Sequence, residues 1–133
     1  MLIATTGVLE DRPRPAMNVA ELMAAQRLVR RIPVGESVVE AILSLVRSGS
    51  PDETAIEGVR RFVSWGPGPR ASQALMLACR ARALIDGRYS PSIDDVLALA
   101  PPVLRHRMAV SFAGRAEGVT VARIIEQISA PLH

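Results

Sequence analysis

A chain of 133 residues that is 49% hydrophobic but only 3% aromatic is long enough to bury one core. That core must be built from Ala, Val, Leu, Ile and Met, the usual filling between packed helices, so an all-α fold is expected. A single cysteine excludes an internal disulfide, no apolar run approaches the roughly 20 residues of a membrane span, and no basic-then-apolar leader opens the chain; a soluble, cytoplasmic domain is the expectation. All 16 basic residues are arginine, which excludes a Walker A loop and Schiff-base chemistry because both need lysine, while the net charge of +3 leaves an anionic partner open.

Residues 1–17 open with the apolar "MLIATTGV" and continue into "LEDRPRPAM", where Pro13 and Pro15 favour an extended linker; the segment reads as a tail from something upstream. Residues 18–130 read as the helical domain. Asn18 and Glu21 have the spacing of a capping box, ahead of Val19, Leu22, Met23, Val29 and Ile32 on one face, and Pro33 ends that helix. Ser37 and Glu40 predict a second box before Val38, Ala41, Ile42, Leu45 and Val46, closed by Gly49 and Pro51. Thr54 and Glu57 repeat the spacing, with Ile56, Val59 and Val63 on one stripe, so the stretch is read as helix, although "FVSW" also suits a short strand.

Gly66 to Gly68 predict a turn, with Pro69 at the first helical position of a long helix that runs to about Asp86 before Gly87 stops it. Its helical wheel places Ala71, Ala74, Leu75, Ala78, Ala81 and Ile85 in one arc and Gln73, Met76, Arg80 and Ala83 opposite. Ser92 and Asp95 predict a short helix over Ile93, Val96, Leu97 and Leu99, broken at "APP" by Pro101 and Pro102 and followed by a further turn, "VLRHRM". Thr120 caps a last helix carrying Val121, Ile124, Ile125 and Ile128 and ending before Pro131. The expected architecture is a small all-α bundle of six or seven helices.

The chemistry-bearing signal is "WGPGPRAS". The partial positive charge of a helix start favours Asp or Glu in the first turn, yet the first charge here is Arg70, which therefore needs either solvent or an anion. Free N–H groups at a helix start with a guanidinium beside them suit phosphate oxygens; a carboxylate partner or plain solvation is the competing reading. Arg82 falls in the apolar arc and is expected to snorkel or to meet Asp86, Asp94 or Asp95. Arg105, His106 and Arg107 form a compact basic cluster, and Arg30–Arg31 and Arg60–Arg61 are assigned to solvated faces. One cysteine and two histidines offer no metal-ligand spacing, and no G-x-S-x-G elbow or distinguished acid pair marks a catalytic set, so no catalytic residue and no metal site is expected. With Phe62, Trp65, Tyr89 and Phe112 scattered, a base-stacking platform for nucleic acid is not expected.

"VRRFVSWGPGPRASQALMLACRARALIDGRYSPSIDDVLALAPPVLRHRMAVSFAGRAEG" resembles the C-terminal helical lid of MoxR-family AAA+ ATPases, which carry a W/Y-G-x-x-P-R-A element before a long helix, a "vtpeDv" helix and an "APxVLxHR" turn. In weaker form the likeness covers nearly the whole chain, with "LIATTG" similar to the segment leaving the ATPase core and "RRIPVGESVVEAILSLVR" to the first two lid helices. The resemblance implies that Arg70 is the sensor-2 residue contacting the γ-phosphate of ATP held on the core, with Gly66, Gly68 and Pro69 as its supporting turn. "GPGPR" stands where the family more often has a small or polar residue, as in "GASPR", which implies a stiffer turn with the Pro-Arg pair intact. The resemblance places the His106–Arg107 pair in the lid's own packing.

It implies further that the parent uses ATP and Mg2+, that neither binds tightly to this fragment alone, and that its partners are the AAA+ core and neighbouring protomers of a ring. Client proteins with von Willebrand A domains, remodelled or matured by a chaperone-like ATPase, are also implied. Two other classes stay open from the residues themselves: a small basic helical DNA-binding module, and an interaction adaptor unrelated to ATP.

Overall fold

The computed structural model describes residues 14–132. Most of the expected 1–17 tail lies outside them; Arg14–Met17 are exposed and precede the first helix without regular structure. Helix α1 (Val19–Arg31) starts as its spacing predicts: the Asn18 side chain accepts from the Glu21 N–H at 2.9 Å, and the Glu21 carboxylate accepts from the Asn18 N–H at 2.7 Å. Helix α2 (Glu36–Ser48) starts earlier than its predicted box. Gly35 is its N-cap, Ser37 lies inside the first turn, and Glu36 supplies the negative charge that a helix start favours. Thr54 caps nothing helical; its hydroxyl accepts from the Ile56 N–H two residues on, and α3 (Glu57–Phe62) begins after that turn.

The helix expected through "FVSW" stops at Phe62. Val63–Trp65 form strand β1, which pairs antiparallel with β2 (Ala109–Val110), the Phe62 carbonyl accepting from the Ser111 N–H at 2.7 Å. Val63 is buried, and it reaches the core from a strand rather than from a helical stripe. Helix α4 (Pro69–Ile85) spans the predicted range and ends in a Schellman turn. Gly87 has φ +70°, its N–H bonds Leu84, and the Arg88 N–H reaches back to Ala83 at 2.7 Å. Its buried stripe differs from the predicted arc: Ala71, Leu75, Cys79 and Ala83 face the core, and Ile85 is exposed. Because α4 touches α1, α2 and α5, most of its circumference is at least half covered, and an amphipathic wheel carries little information about its phase.

Helix α5 (Ile93–Leu104) runs through Pro101 and Pro102, where a break was expected. An interior proline costs about 3 kcal/mol by removing a ladder bond. Here Pro101, Pro102 and Ala98 lie on the exposed side, while Val96, Ala100 and Leu104 form a fully buried opposite stripe that holds the helix on. A short α6 (Phe112–Ala116), capped by Ser111, was not foreseen; α7 (Val121–Ser129) starts at Thr120 as predicted and passes into a 3-10 turn, Ala130–Leu132. Seven α-helices and one two-stranded ribbon among the described residues make this the small helical bundle that composition implies. No described helix is long and apolar enough to cross a membrane.

One polar node lies within the bundle. Asp95, 2% exposed, closes the α5 capping box and takes both nitrogens of the Arg88 fork, at 2.7 and 2.8 Å, with Arg82 Nε at 3.2 Å. Arg82 thus meets two of its expected partners, since Asp86 lies 3.9 Å away as well. The Arg88 hydrogen bonds hold the Asp95 carboxyl below its ordinary range, against the opposing effect of burial. Burial, with Asp95 nearby, pushes the Cys79 thiol up to about 11.

A carboxyl depressed in the folded state stabilises the fold at neutral pH and stops doing so as pH falls through its folded value. Asp95→Asn is therefore expected to destabilise the domain, near the lower end of the about 3–5 kcal/mol typical of a broken buried pair because both arginines keep a face in solvent, and thermal unfolding between pH 7 and 2 should show the variant losing less with acid than the parent. Cys79 should resist a thiol reagent at pH 8 in the native protein and react once urea unfolds it; rapid native labelling would contradict its burial.

Candidate functional site

The turn between β1 and α4 is set by contact with the end of α2. A Cβ on Gly66 would lie 2.5 Å from the Gly49 carbonyl oxygen and 2.9 Å from Ser50 Cα, both backbone atoms that cannot swing aside. A Cβ on Gly49 would likewise meet the Pro67 ring at 2.9 Å. These two glycines let the segments interlock, with Pro67 buried between them. Gly68 follows as the N-cap of α4, in extended backbone with open space around it and no side chain to cap, and Pro69 takes the first helical position.

Arg70 then stands in the first turn, exposed, with no carboxylate partner among the described residues. The first turn of α4 holds no acidic residue. A helix start with a cation and no capping side chain concentrates positive potential at one outward-facing point, the arrangement that binds phosphate. Of the two readings for Arg70, internal pairing is absent among the described residues and exposure to solvent or to an anion is what remains.

Beside this turn lies an open cleft of about 490 Å³, walled by Leu43, Val46 and Arg47 of α2, the Ser50–Glu53 loop, Ser64, Trp65, the Gly66–Pro69 turn and Ser72. All three predicted supporting residues, Gly66, Gly68 and Pro69, line it. Sequence reasoning missed the α2 and loop contributions, because only the Gly49–Gly66 approach brings those segments to the turn. The one available signal was the run of glycines and prolines at both places.

Several other basic residues have partners elsewhere. Arg61 pairs with Glu117 at 2.7 Å and covers the Phe62 ring at 4.8 Å. Arg80 donates to the Arg30 carbonyl at the end of α1, and Arg107 to the Val103 carbonyl at 2.7 Å. His106, expected inside the lid's packing, is exposed, with the Arg107 guanidinium against its ring. No group of His, Cys, Asp and Glu among the described residues could hold a metal ion.

The AAA lid domain family model matches residues 57–128, more than half of the chain. Chaperone MoxR1 of Mycobacterium tuberculosis is 24% identical over 98% of this chain and 36% of its own, and the uncharacterized protein YeaC of Bacillus subtilis is 30% identical over 86% of this chain and 33% of its own. The chain thus spans about a third of the length of these relatives. A crystal structure of a candidate ATPase from Cytophaga hutchinsonii superposes with a TM-score of 0.72 at 26% identity, covering 77% of this chain and 31% of that one.

The interlock predicts opposite outcomes at two neighbouring glycines. Gly66→Ser should lower stability by about 1–3 kcal/mol through overpacking against backbone, whereas Gly68→Ser, with room and an N-cap position to fill, should leave the melting temperature unchanged or raise it. Equal losses at both sites in thermal denaturation would contradict the arrangement.

Proposed function

The chain belongs to the AAA lid domain family, and from that premise we propose that it is the nucleotide-sensing lid of a MoxR-type AAA+ ATPase, with Arg70 as the sensor-2 arginine. Residues 18–130 would be the lid and residues 1–17 the connection from the core that carries the P-loop. The observation that carries the reading is the exposed Arg70 in an uncapped first turn, directly after a Gly66–Pro69 turn that the Gly49–Gly66 contact holds in place.

In this reading Arg70 donates paired hydrogen bonds to the γ-phosphate oxygens of ATP bound on the core, and Gly66, Gly68 and Pro69 fix the direction from which it does so. Hydrogen bonds to charged groups contribute about 1.5–3 kcal/mol, enough to shift an open-to-closed lid equilibrium by roughly 10- to 150-fold. Loss of the γ-phosphate removes that difference and releases the lid. The described residues fit the phosphate part of the nucleotide and not its metal: a guanidinium and free N–H groups suit an anion, while Mg2+ would be held by the core. The fragment alone, with half a nucleotide site, would bind ATP weakly. Ring assembly, a cytoplasmic setting and remodelling of client proteins, including those with von Willebrand A domains, belong to the same proposal; support for the chaperone-like activity is the name of the mycobacterial relative.

Arg70→Ala in the full-length ATPase is expected to lower ATP affinity or turnover by roughly 10- to 150-fold, with an unchanged melting temperature because the side chain is exposed. Turnover and affinity equal to those of the parent would remove the sensor-2 role.

A further inference from the structure

Trp65 is the single tryptophan of the chain, and it is 59% exposed on the wall of the cleft. Strand alternation would send it the other way. Val63 is buried, so in a regular strand the residue two positions on would face the core with it. The ribbon register breaks that alternation: Val63 pairs with Val110 while Trp65 pairs with Ala109, so three residues of β1 span two of β2. The extra residue is a bulge, and bulges of this kind re-aim a side chain. The cleft that Trp65 lines opens on the other side of α4 from Arg70: Ser72 borders it and Arg70 does not, and two residues turn a helix by about 200°. Along α2 it continues into a second hollow of about 330 Å³, and Leu43, Arg47 and Glu53 line both. Leu43, 41% exposed, gives the joined groove a second uncovered apolar side chain.

The end of α2 and the start of α4 both border this groove, and their dipole ends have opposite signs, so side chains decide its charge. Glu40, Asp52 and Glu53 stand there against Arg47, three carboxylates to one guanidinium, in a chain whose net charge is +3. Among the described residues no ion pair joins Arg47 to any of the three. The ring that carries a guanidinium is Phe62, under Arg61, and none of the described cations covers Trp65. An uncovered indole bordered by uncompensated carboxylates suits an arginine from outside: the planar cation stacks on the ring while its fork donates to carboxylate oxygens. A phosphate is repelled by the same carboxylates, which separates this groove from the anion-binding role given to Arg70.

We propose that the joined groove docks a segment of a partner protein that presents an arginine between apolar residues, with the guanidinium on Trp65 and toward Asp52 and Glu53 and an apolar neighbour on Leu43. The groove and Arg70 lie on different sides of α4, so docking here neither requires nucleotide nor competes with it for Arg70. The inference is therefore independent of the lid reading above.

The test titrates the 133-residue chain with three synthetic peptides in which leucine alternates with arginine, citrulline or glutamate; a single tryptophan makes the indole emission a report on this groove alone. The arginine peptide should change the emission saturably and bind roughly 2- to 30-fold more tightly than the citrulline peptide, the range of one cation–π contact, with the glutamate peptide weakest and added salt reducing the difference. In anisotropy measurements with a labelled arginine peptide, Trp65→Leu, which keeps apolar bulk and removes the ring, should weaken binding by a similar factor. Trp65→Phe should restore part of that loss, and Asp52→Asn with Glu53→Gln should weaken binding as well. Melting temperatures should stay at the parental value, since all three side chains are exposed. No saturable change, or equal affinity for the arginine and citrulline peptides, overturns the proposal. Emission and sedimentation that change with the concentration of the chain alone would make a second copy the occupant, which overturns it too. None of these outcomes bears on Arg70→Ala, so the lid reading stands or falls separately.

Discussion

The contact between Gly66 and the backbone of Gly49 and Ser50 is the constraint on which the rest depends. It brings the end of α2, the loop after it, the ribbon and the start of α4 to one place using segments that are far apart in sequence. Without it the cleft has no second wall, and Arg70 would be one more exposed arginine on a helix. Backbone-to-backbone approach at this distance tolerates no side chain, so the position of the site is encoded in two missing Cβ atoms rather than in any polar group.

The second organising feature is how the arginines are divided. Arg82 and Arg88 converge on the buried Asp95, tying the Schellman end of α4 to the capped start of α5 across the Gly87 turn. Arg80 meets the carbonyl end of α1, where a cation is favoured, and Arg61 has both a carboxylate and an aromatic face. Each of these side chains is engaged within the bundle, although Arg80 Nε is buried without a hydrogen-bond partner. Arg70 occupies the end of a helix where its sign is unfavourable, with no described carboxylate to relieve it and no capping side chain; Arg123 lies likewise in the first turn of α7, but there Thr120 caps the helix. A stabilising role would place it at the other end of α4.

Much of the fold was legible because local signals agreed with tertiary packing. Asn18 with Glu21, Ser92 with Asp95, Thr120, Pro69 and Gly87 all act at the helix ends where their chemistry predicts. The failures have a common cause. Ser37 and Glu40 have the right spacing, but the helix gains two residues by starting at Glu36. Pro101 and Pro102 should end a helix by local rules, and the burial of Ala100 and Leu104 overrides them. The phase of α4 could not be read from a wheel because three other helices cover it. Arg88, the main partner of Asp95, went unremarked since its position depends on a reversal at Gly87. Of the site, the turn and its arginine were visible as a motif. The cleft was not, because a bulge and a close approach are properties of paired segments and leave almost no trace in either one alone.

The most direct test of the proposed role is a structure of the full-length parent protein with a non-hydrolysable ATP analogue bound. The Arg70 guanidinium should lie within hydrogen-bond distance of the γ-phosphate oxygens, with the lid closed over the core through the face that carries the Gly66–Pro69 turn. An analogue bound and fully coordinated while that face points away into solvent would contradict the assignment of this surface to the nucleotide.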